Sequence, residues 1–336
     1  MSKVTYVLPV YNGEKTLKKC IESVLNQNYE DVELLVINNG STDNSQRVIQ
    51  QFEYHEFTAH VSVRYLYQPH VSMAKIRNLG IELAQGEYIA FLGQTDFLNC
   101  NYTKRMMKVA SSQRADIVVS GYVQVNDQGS MISKKTLRNN TWAPYEVMAP
   151  WGHFYRKEFL ERKELQFAQF GPGEDIYFNM LAYQCARKIS VSAQEGYCWT
   201  HNEKEMFDMT QSGIGRRYNP FPMLNHLEQE MHRRNLPYTE EREYYMLRFV
   251  TWYSLHSLRG GKWSDVLRTN YKLFRWLEVY YPDYQKNKNI IWSLPLGEKF
   301  AHRLIVWIFI RLHMIGLDRM LLRVCSLFTG NGNKRG

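Results

Sequence analysis

Apolar positions along the first 125 residues switch repeatedly between two periods. Val4 to Val10 is a nearly continuous apolar run that ends in the polar turn of Asn12 and Gly13. Leu17, Ile21, Val24 and Leu25 then recur at the i, i+4, i+7, i+8 spacing of one helix face. Glu33 to Ile37 is a second apolar run, of the kind buried on both faces of a sheet. Val48, Ile49 and Phe52 mark another helix, Val63 to Tyr67 a strand, Ile76, Leu79 and Leu83 a helix that Gly86 stops, and Tyr88 to Leu92 a further strand. This alternation of strand and helix predicts an α/β fold with a parallel three-layer sheet wound by right-handed crossovers, which Ile117 to Val125 extends.

From about Asn139 to His201 the pattern loosens into loops, aromatic residues and one helix, Ile176 to Cys185, which begins with the acidic pair Glu174 and Asp175. After Ser212 the periodicity is helical throughout. Helices are expected near 220–234, 240–258 and 264–280, opened by Asn219-Pro220, Thr239 and Ser264. A last helix, Phe300 to Phe328, carries an apolar run from Leu304 to Ile310, well short of the roughly 20 residues that cross a bilayer. Arg303, Arg311, Arg319 and Arg323 interrupt it, which leaves two readings, a helix lying in a membrane interface and a helix packed on the α/β domain. The expected organisation is an α/β domain over 1–212, a helical domain over 213–330, and a disordered tail over 331–336.

The 42 Lys and Arg against 33 Asp and Glu leave a net charge of +9, which suits an anionic partner: a nucleoside diphosphate, an acidic lipid surface or a nucleic acid. The chain carries no recognisable nucleic-acid-binding motif, so nucleic acid is not the expected partner. Without an apolar leader the expected location is the cytoplasm, and the interfacial reading of the last helix adds peripheral attachment to the inner face of the cell membrane. Five scattered cysteines, with no paired or metal-finger spacing, read as reduced packed thiols.

Two of the apolar strands run directly into polar loops, Pro9-Val10-Tyr11-Asn12 and Asn38-Asn39-Gly40-Ser41-Thr42-Asp43. Loops at the carboxyl ends of neighbouring parallel strands are where α/β sheets bind ligands. Their spacing resembles the opening of the family-2 glycosyltransferases, enzymes of the GT-A fold that use nucleotide-sugars, usually written P-x-Y-N followed by D-D-G-S-x-D. Gly93-Gln94-Thr95-Asp96 resembles that family's D-x-D turn. Pro150 to Lys157 resembles the segment that crosses under the acceptor site, and Gly171-Pro172-Gly173-Glu174-Asp175 its Glu-Asp turn. The resemblance spans roughly residues 3 to 202, and it departs from the family at Asn38, Asn39 and Gln94, where acids are usual.

The resemblance implies an inverting transfer from a nucleoside-diphosphate-sugar to a hydroxyl of a cell-surface glycan or lipid-linked precursor. It makes Asp175 the base beside Glu174, with Pro9, Tyr11, Asn12, Asn38, Asn39, Arg77, Gln94 and Thr95 around the nucleotide-sugar. Arg77 is placed to approach the diphosphate, and a UDP-sugar is favoured because an Asn carbonyl can accept from a uracil N–H as an acid does. Asp96, with His201 as a further ligand, would hold Mn²⁺ or Mg²⁺ through the diphosphate. The alternative is a glycosyltransferase-like partner subunit whose catalysis has decayed at the three departures.

Overall fold

A computed structural model describes residues 3–53, 61–171, 173–201, 219–256 and 262–329. The chain divides into two compact units, residues 1–139 with 147–201, and residues 140–146 with 202–336.

In the first unit the strands are β1 (Val4–Val10), β2 (Val32–Asn39), β3 (Val61–Gln68), β4 (Tyr88–Phe91), β5 (Phe97–Leu98), β6 (Ile117–Val125), β7 (Met131–Lys135), β8 (His153–Arg156) and β9 (Ile189–Thr200). The helices are α1 (Leu17–Leu25), α2 (Ser45–Glu53), α3 (Met73–Leu83), α4 (Tyr102–Gln113), α5 (Lys157–Arg162) and α6 (Glu174–Cys185). The sheet order is β3-β2-β1-β4-β8-β6-β9-β5, with β7 also paired to β6. The four leading strands are parallel, and Val7 of β1 aligns with Leu35 of β2 and Phe91 of β4. Tyr6, Leu8, Leu34, Val36 and Tyr88 are fully buried with Ile21 and Val24 of α1 and Met106 of α4. Each such side chain stabilises the fold by about 1.5–3 kcal/mol relative to exposure.

The parallel sheet expected from the alternation holds for β1 to β4, and the strands beyond them add antiparallel pairs. β8 runs antiparallel between β4 and β6, and β5 and β7 are antiparallel as well. The segment expected to be mostly loop also contains β8, α5 and the long β9. Its pattern is obscured because Ser190 and Ser192 occupy buried positions in β9, with Ser190 hydrogen-bonded to Gln113. The register shift between Ser120 and Tyr122 breaks the alternation again.

α3 lies unusually close to the sheet, since a Cβ placed on Gly80 would sit 2.3 Å from Val7 Cγ1. Only glycine permits such an approach of helix to strand.

The second unit is helical: α7 (Phe221–Arg233), α8 (Glu240–His256), α9 (Trp263–Tyr280), α10 (Phe300–Met314) and α11 (Asp318–Thr329). Thr239 Oγ1 accepts from Arg242 N at 3.2 Å, the cap that opens α8. The single terminal helix expected from the sequence is instead two. Gly316 at φ 75° ends α10, with Leu317 N donating to Leu312 O at 2.8 Å and Gly316 N to His313 O at 3.0 Å. That paired bonding is the Schellman termination, which glycine favours because it enters the left-handed region without strain. The expected tail at 331–336 lies outside the described residues.

Candidate active site

The loops after β1 and β2 are laced together by hydrogen bonds. Asn12, left-handed at φ 52°, receives Thr42 N on its Oδ1 at 2.8 Å, and Ser41 and Ser45 hydroxyls accept from the N–H groups of Asn12 and Gly13. Asp43 accepts from Ser45 N at the start of α2 and, on its other oxygen, from Glu14 N at 3.0 Å. Asp43 thus both caps a helix and ties the loops.

Carboxamides fix the neighbouring backbone. Gln94 Oε1 accepts from Tyr11 N at 2.8 Å while its Nε2 donates to Tyr11 O at 2.9 Å. Asn39 does the same to Val71, at 2.9 and 3.0 Å, and Asn78 to Phe167, at 2.8 and 2.9 Å. An amide donates and accepts at once in this way, whereas an ionised acid can only accept. Two of the positions where the family usually has acids therefore hold amides for a local reason. Asn38, the third position near them, is fully buried and accepts from Ser41 N while donating to Tyr65 OH.

Reinstating the family's acid should harm this protein. Asn39 is 2% exposed, so Asn39→Asp leaves the Val71 carbonyl facing a buried carboxylate and is expected to destabilise by about 2 kcal/mol or more near neutral pH. The loss should shrink in acid, where the introduced group takes a proton and can donate again. An unchanged urea midpoint at neutral pH would show that the clamp contributes nothing.

Tyr11 remains exposed, its ring 4.6 Å from that of His70, and His70 Nδ1 lies 3.1 Å from Asn39 O. This exposed ring pair beside the loops was not anticipated from sequence, because nothing local to His70 signals it. Pro9 lies within β1, paired with Ile37.

Asp96 follows β4 and is 3% exposed. Its Oδ2 accepts from Tyr197 OH at 2.6 Å and its Oδ1 from Thr200 N at 2.9 Å, while Thr200 Oγ1 donates to Thr95 O at 2.6 Å. β9 therefore presents Asp96 from behind. Among the described residues no three His, Cys, Asp or Glu side chains gather as a metal site. Thr95 Oγ1 also donates to Asp96 Oδ1 at 3.4 Å, and since a carboxylate joined by phosphate oxygens and water is the usual ligand set for Mg²⁺, Asp96 has the chemistry that would hold such an ion. His201 is differently placed. Gln124 Nε2 lies 3.0 Å from its Nδ1, and Gln124 Oε1 accepts from Ser133, so one ring nitrogen of His201 is engaged by an amide.

The acidic pair opens α6, where Gly173 at φ 105° turns the chain into the helix. Arg77 of α3 donates to both acids, to Glu174 Oε1 at 2.7 Å and Asp175 Oδ1 at 2.5 Å, and its guanidinium lies 5.1 Å from the Phe167 ring centre. Arg77, expected near a diphosphate, is thus engaged with carboxylates. Burial pushes Glu174 up to about 7, with Arg77 opposing and the like charge of Asp175 adding. Asp175 is also raised by burial against the pull of Arg77, and its side chain is 37% exposed where that of Glu174 is 10% exposed. One turn on, the fully buried Asn179 accepts from Tyr155 OH at 2.6 Å and donates to Met148 O and Ala149 O, anchoring α6. The cluster offers an accessible carboxylate of elevated basicity, fixed in direction by a cation.

Beside Asp96 stands an aromatic group that the sequence showed only as scattered rings. Trp151 stacks on Tyr197 at 4.9 Å and on Trp199 at 5.9 Å, with Tyr122 edge-on to Trp151 at 5.0 Å. β6 and β9 bring these rings together from distant sequence.

Residues 5–182 match the model of glycosyl transferase family 2. The chain is similar to glycosyltransferase GlyA of Streptococcus pneumoniae, 25% identical over 206 residues that make up 56% of this chain and 29% of the relative. It is similar also to the uncharacterized glycosyltransferase EpsJ of Bacillus subtilis, 25% identical over 61% of this chain and 63% of EpsJ. The poly(ribitol-phosphate) beta-glucosyltransferase of Bacillus spizizenii is 27% identical over 58% of this chain and 32% of its own length. The matched regions are thus less than two thirds of each of these relatives. In fold, the chain resembles Staphylococcus aureus TarS 1-349 in complex with UDP-GlcNAc, with a TM-score of 0.65, 18% identity, and coverage of 94% of this chain and 92% of that one. With its parallel β1–β4 edge, its acidic turn at α6 and a family match over more than half its length, the chain belongs to glycosyl transferase family 2 and has the GT-A fold.

Proposed function

We propose that this protein transfers a sugar from a nucleoside-diphosphate-sugar, with a UDP-sugar favoured, to a hydroxyl of a cell-surface glycan or lipid-linked precursor, inverting the anomeric centre. The observation that carries the reading is the Arg77–Glu174–Asp175 cluster, a half-exposed carboxylate of raised pKa held in one orientation at a helix start. A general base works best with a pKa near operating pH and with its geometry fixed in advance. In a single displacement the acceptor hydroxyl oxygen bonds to the anomeric carbon while the bond from that carbon to the diphosphate breaks. The hydroxyl proton passes to Asp175, and the diphosphate leaves with the bonding electrons. Mg²⁺ or Mn²⁺ held by Asp96 and the diphosphate would neutralise the charge that builds on the leaving group. Arg77 directs the base, Gln94 and Asn39 hold the loops around the nucleotide, and the exposed Tyr11 and His70 rings suit a nucleobase face.

The similarity to a structure bound to UDP-GlcNAc and to another bound to UDP supports the choice of donor. The departures at Asn39 and Gln94 do not favour the decayed-subunit reading, since each amide makes a paired backbone contact that an acid would forfeit. A thermal-shift series with UDP-sugars, other nucleotide-sugars and UDP, with and without Mn²⁺, tests the donor. UDP ligands with Mn²⁺ are expected to raise Tm the most, by about 1–2 °C per kcal/mol of binding at this chain length. No shift with any nucleotide, or equal shifts in chelator, would remove the proposed donor or the proposed ion.

A further inference from the structure

The helical unit has an apolar surface that its own described residues leave exposed. α10 is apolar on opposite sides. Val306, Phe309 and Ile310 are buried within the unit, whereas Ile305, Ile308, Leu312 and Ile315 recur at helical spacing on the outer face, with Ile315 67% exposed. A helix apolar all round is ordinarily covered on all sides. At the Gly316 turn that face continues through Met314 and Leu317 onto Met320 of α11, which is 65% exposed. Within the hairpin itself the exposed charged groups are of one sign. Residues 299–324 contain Lys299, Arg303, Arg311, Arg319 and Arg323 against one acid, Asp318. Asp318 is buried, accepting from Asn270 at 2.7 Å and lying 3.0 Å from His313 Nδ1.

We propose that the α10–α11 hairpin seats on an anionic phospholipid surface, its apolar face and turn entering the headgroup layer while the exposed Arg311 and Arg319 meet phosphates. Two observations select lipid over a second copy of this chain. In a two-fold contact the patch would face itself, bringing the hairpin's arginines against the same arginines of the other copy. Arginines within the same turns as the apolar side chains can extend along a bilayer surface and pair with phosphate, whereas the core of a protein interface excludes charge. No helix among the described residues is long and apolar enough to cross a membrane, so the contact is a lying one. The inference concerns the helical unit and stands apart from the proposed transfer reaction.

Co-sedimentation of the full chain with vesicles tests it. Binding is expected to phosphatidylcholine vesicles containing phosphatidylglycerol, to weaken with salt, and to be slight with phosphatidylcholine alone. Arg311→Gln with Arg319→Gln should weaken it about tenfold or more, since each basic group near an anionic surface supplies a factor of about five. Ile308→Asn with Ile315→Asn should weaken it at least as much. Both pairs are at exposed positions, and unchanged circular-dichroism melts would show that the fold is kept. Binding unaffected by either pair, or none to anionic vesicles, would overturn the proposal. So would a dimer by light scattering that Ile308→Asn converts to monomer without any lipid binding.

Discussion

Asp175→Asn is expected to lower kcat by about 100-fold or more while leaving nucleotide-sugar binding close to normal, the scale associated with a lost general base. The substituted amide keeps the size of the side chain and can still accept from Arg77, which lies 2.5 Å from Asp175 Oδ1. The change therefore removes basicity more than it disturbs structure. Glu174→Gln provides the comparison. Glu174 is the more buried partner and is pushed up to about 7 by burial, so it is substantially protonated near neutral pH. Replacing it should cost far less turnover. If Asp175→Asn turns over near the unmodified rate, Asp175 is not the base, whatever its position.

Arg77→Met is expected to destabilise the fold by about 3 kcal/mol near neutral pH, because removing one member of a buried ionic cluster leaves the others uncompensated. The loss should depend on pH with a definite sign. A carboxylate whose folded pKa lies above its unfolded value is stabilising below the unfolded pKa, and that contribution is lost as pH rises through the folded one. Glu174 stands at about 7 against an ordinary 4.5 even with Arg77 present, and without that cation it and Asp175 would rise further. The penalty should accordingly be small near pH 4.5, grow through neutrality, and persist at higher pH. Adding Glu174→Gln to Arg77→Met should recover part of it, since the double variant no longer buries that unpaired charge. Urea unfolding of the single and double variants across pH would decide the matter, and a flat difference between Arg77→Met and the unmodified protein would mean that the acids are not electrostatically tied to Arg77.

The parts of the fold legible in sequence are those with clean periodicity. β1, β2 and β4 are buried on both faces and read as apolar runs, and α1 shows one unbroken stripe. α4 and β9 were obscured for opposite reasons. α4 hides Tyr102, Met106 and Met107 among polar residues, while β9 buries serines whose hydroxyls find partners inside. The break between α10 and α11 had a signal in Gly316, overshadowed by the apolar run before it. At the site, sequence reached Asp175, Glu174 and Asp96 through local motifs. It named Arg77 for a diphosphate and not as the partner of the acids 98 positions away, and it did not reach Tyr197 and Thr200, which meet Asp96 from 101 and 104 positions away. Nor could it explain Asn39 and Gln94, whose meaning lies in the backbone they face.

The close seat of Gly80 on Val7 gives the acidic cluster a mechanical tether. Arg77 stands three residues earlier on α3, so its guanidinium is carried by a rod resting directly on the first strand, with no side chain between as a cushion. Even one methyl at position 80 would meet Val7 Cγ1 at 2.3 Å and must lift or tilt the rod. The placing of the cation that Glu174 and Asp175 share thus depends on clearance at a residue with no functional group at all.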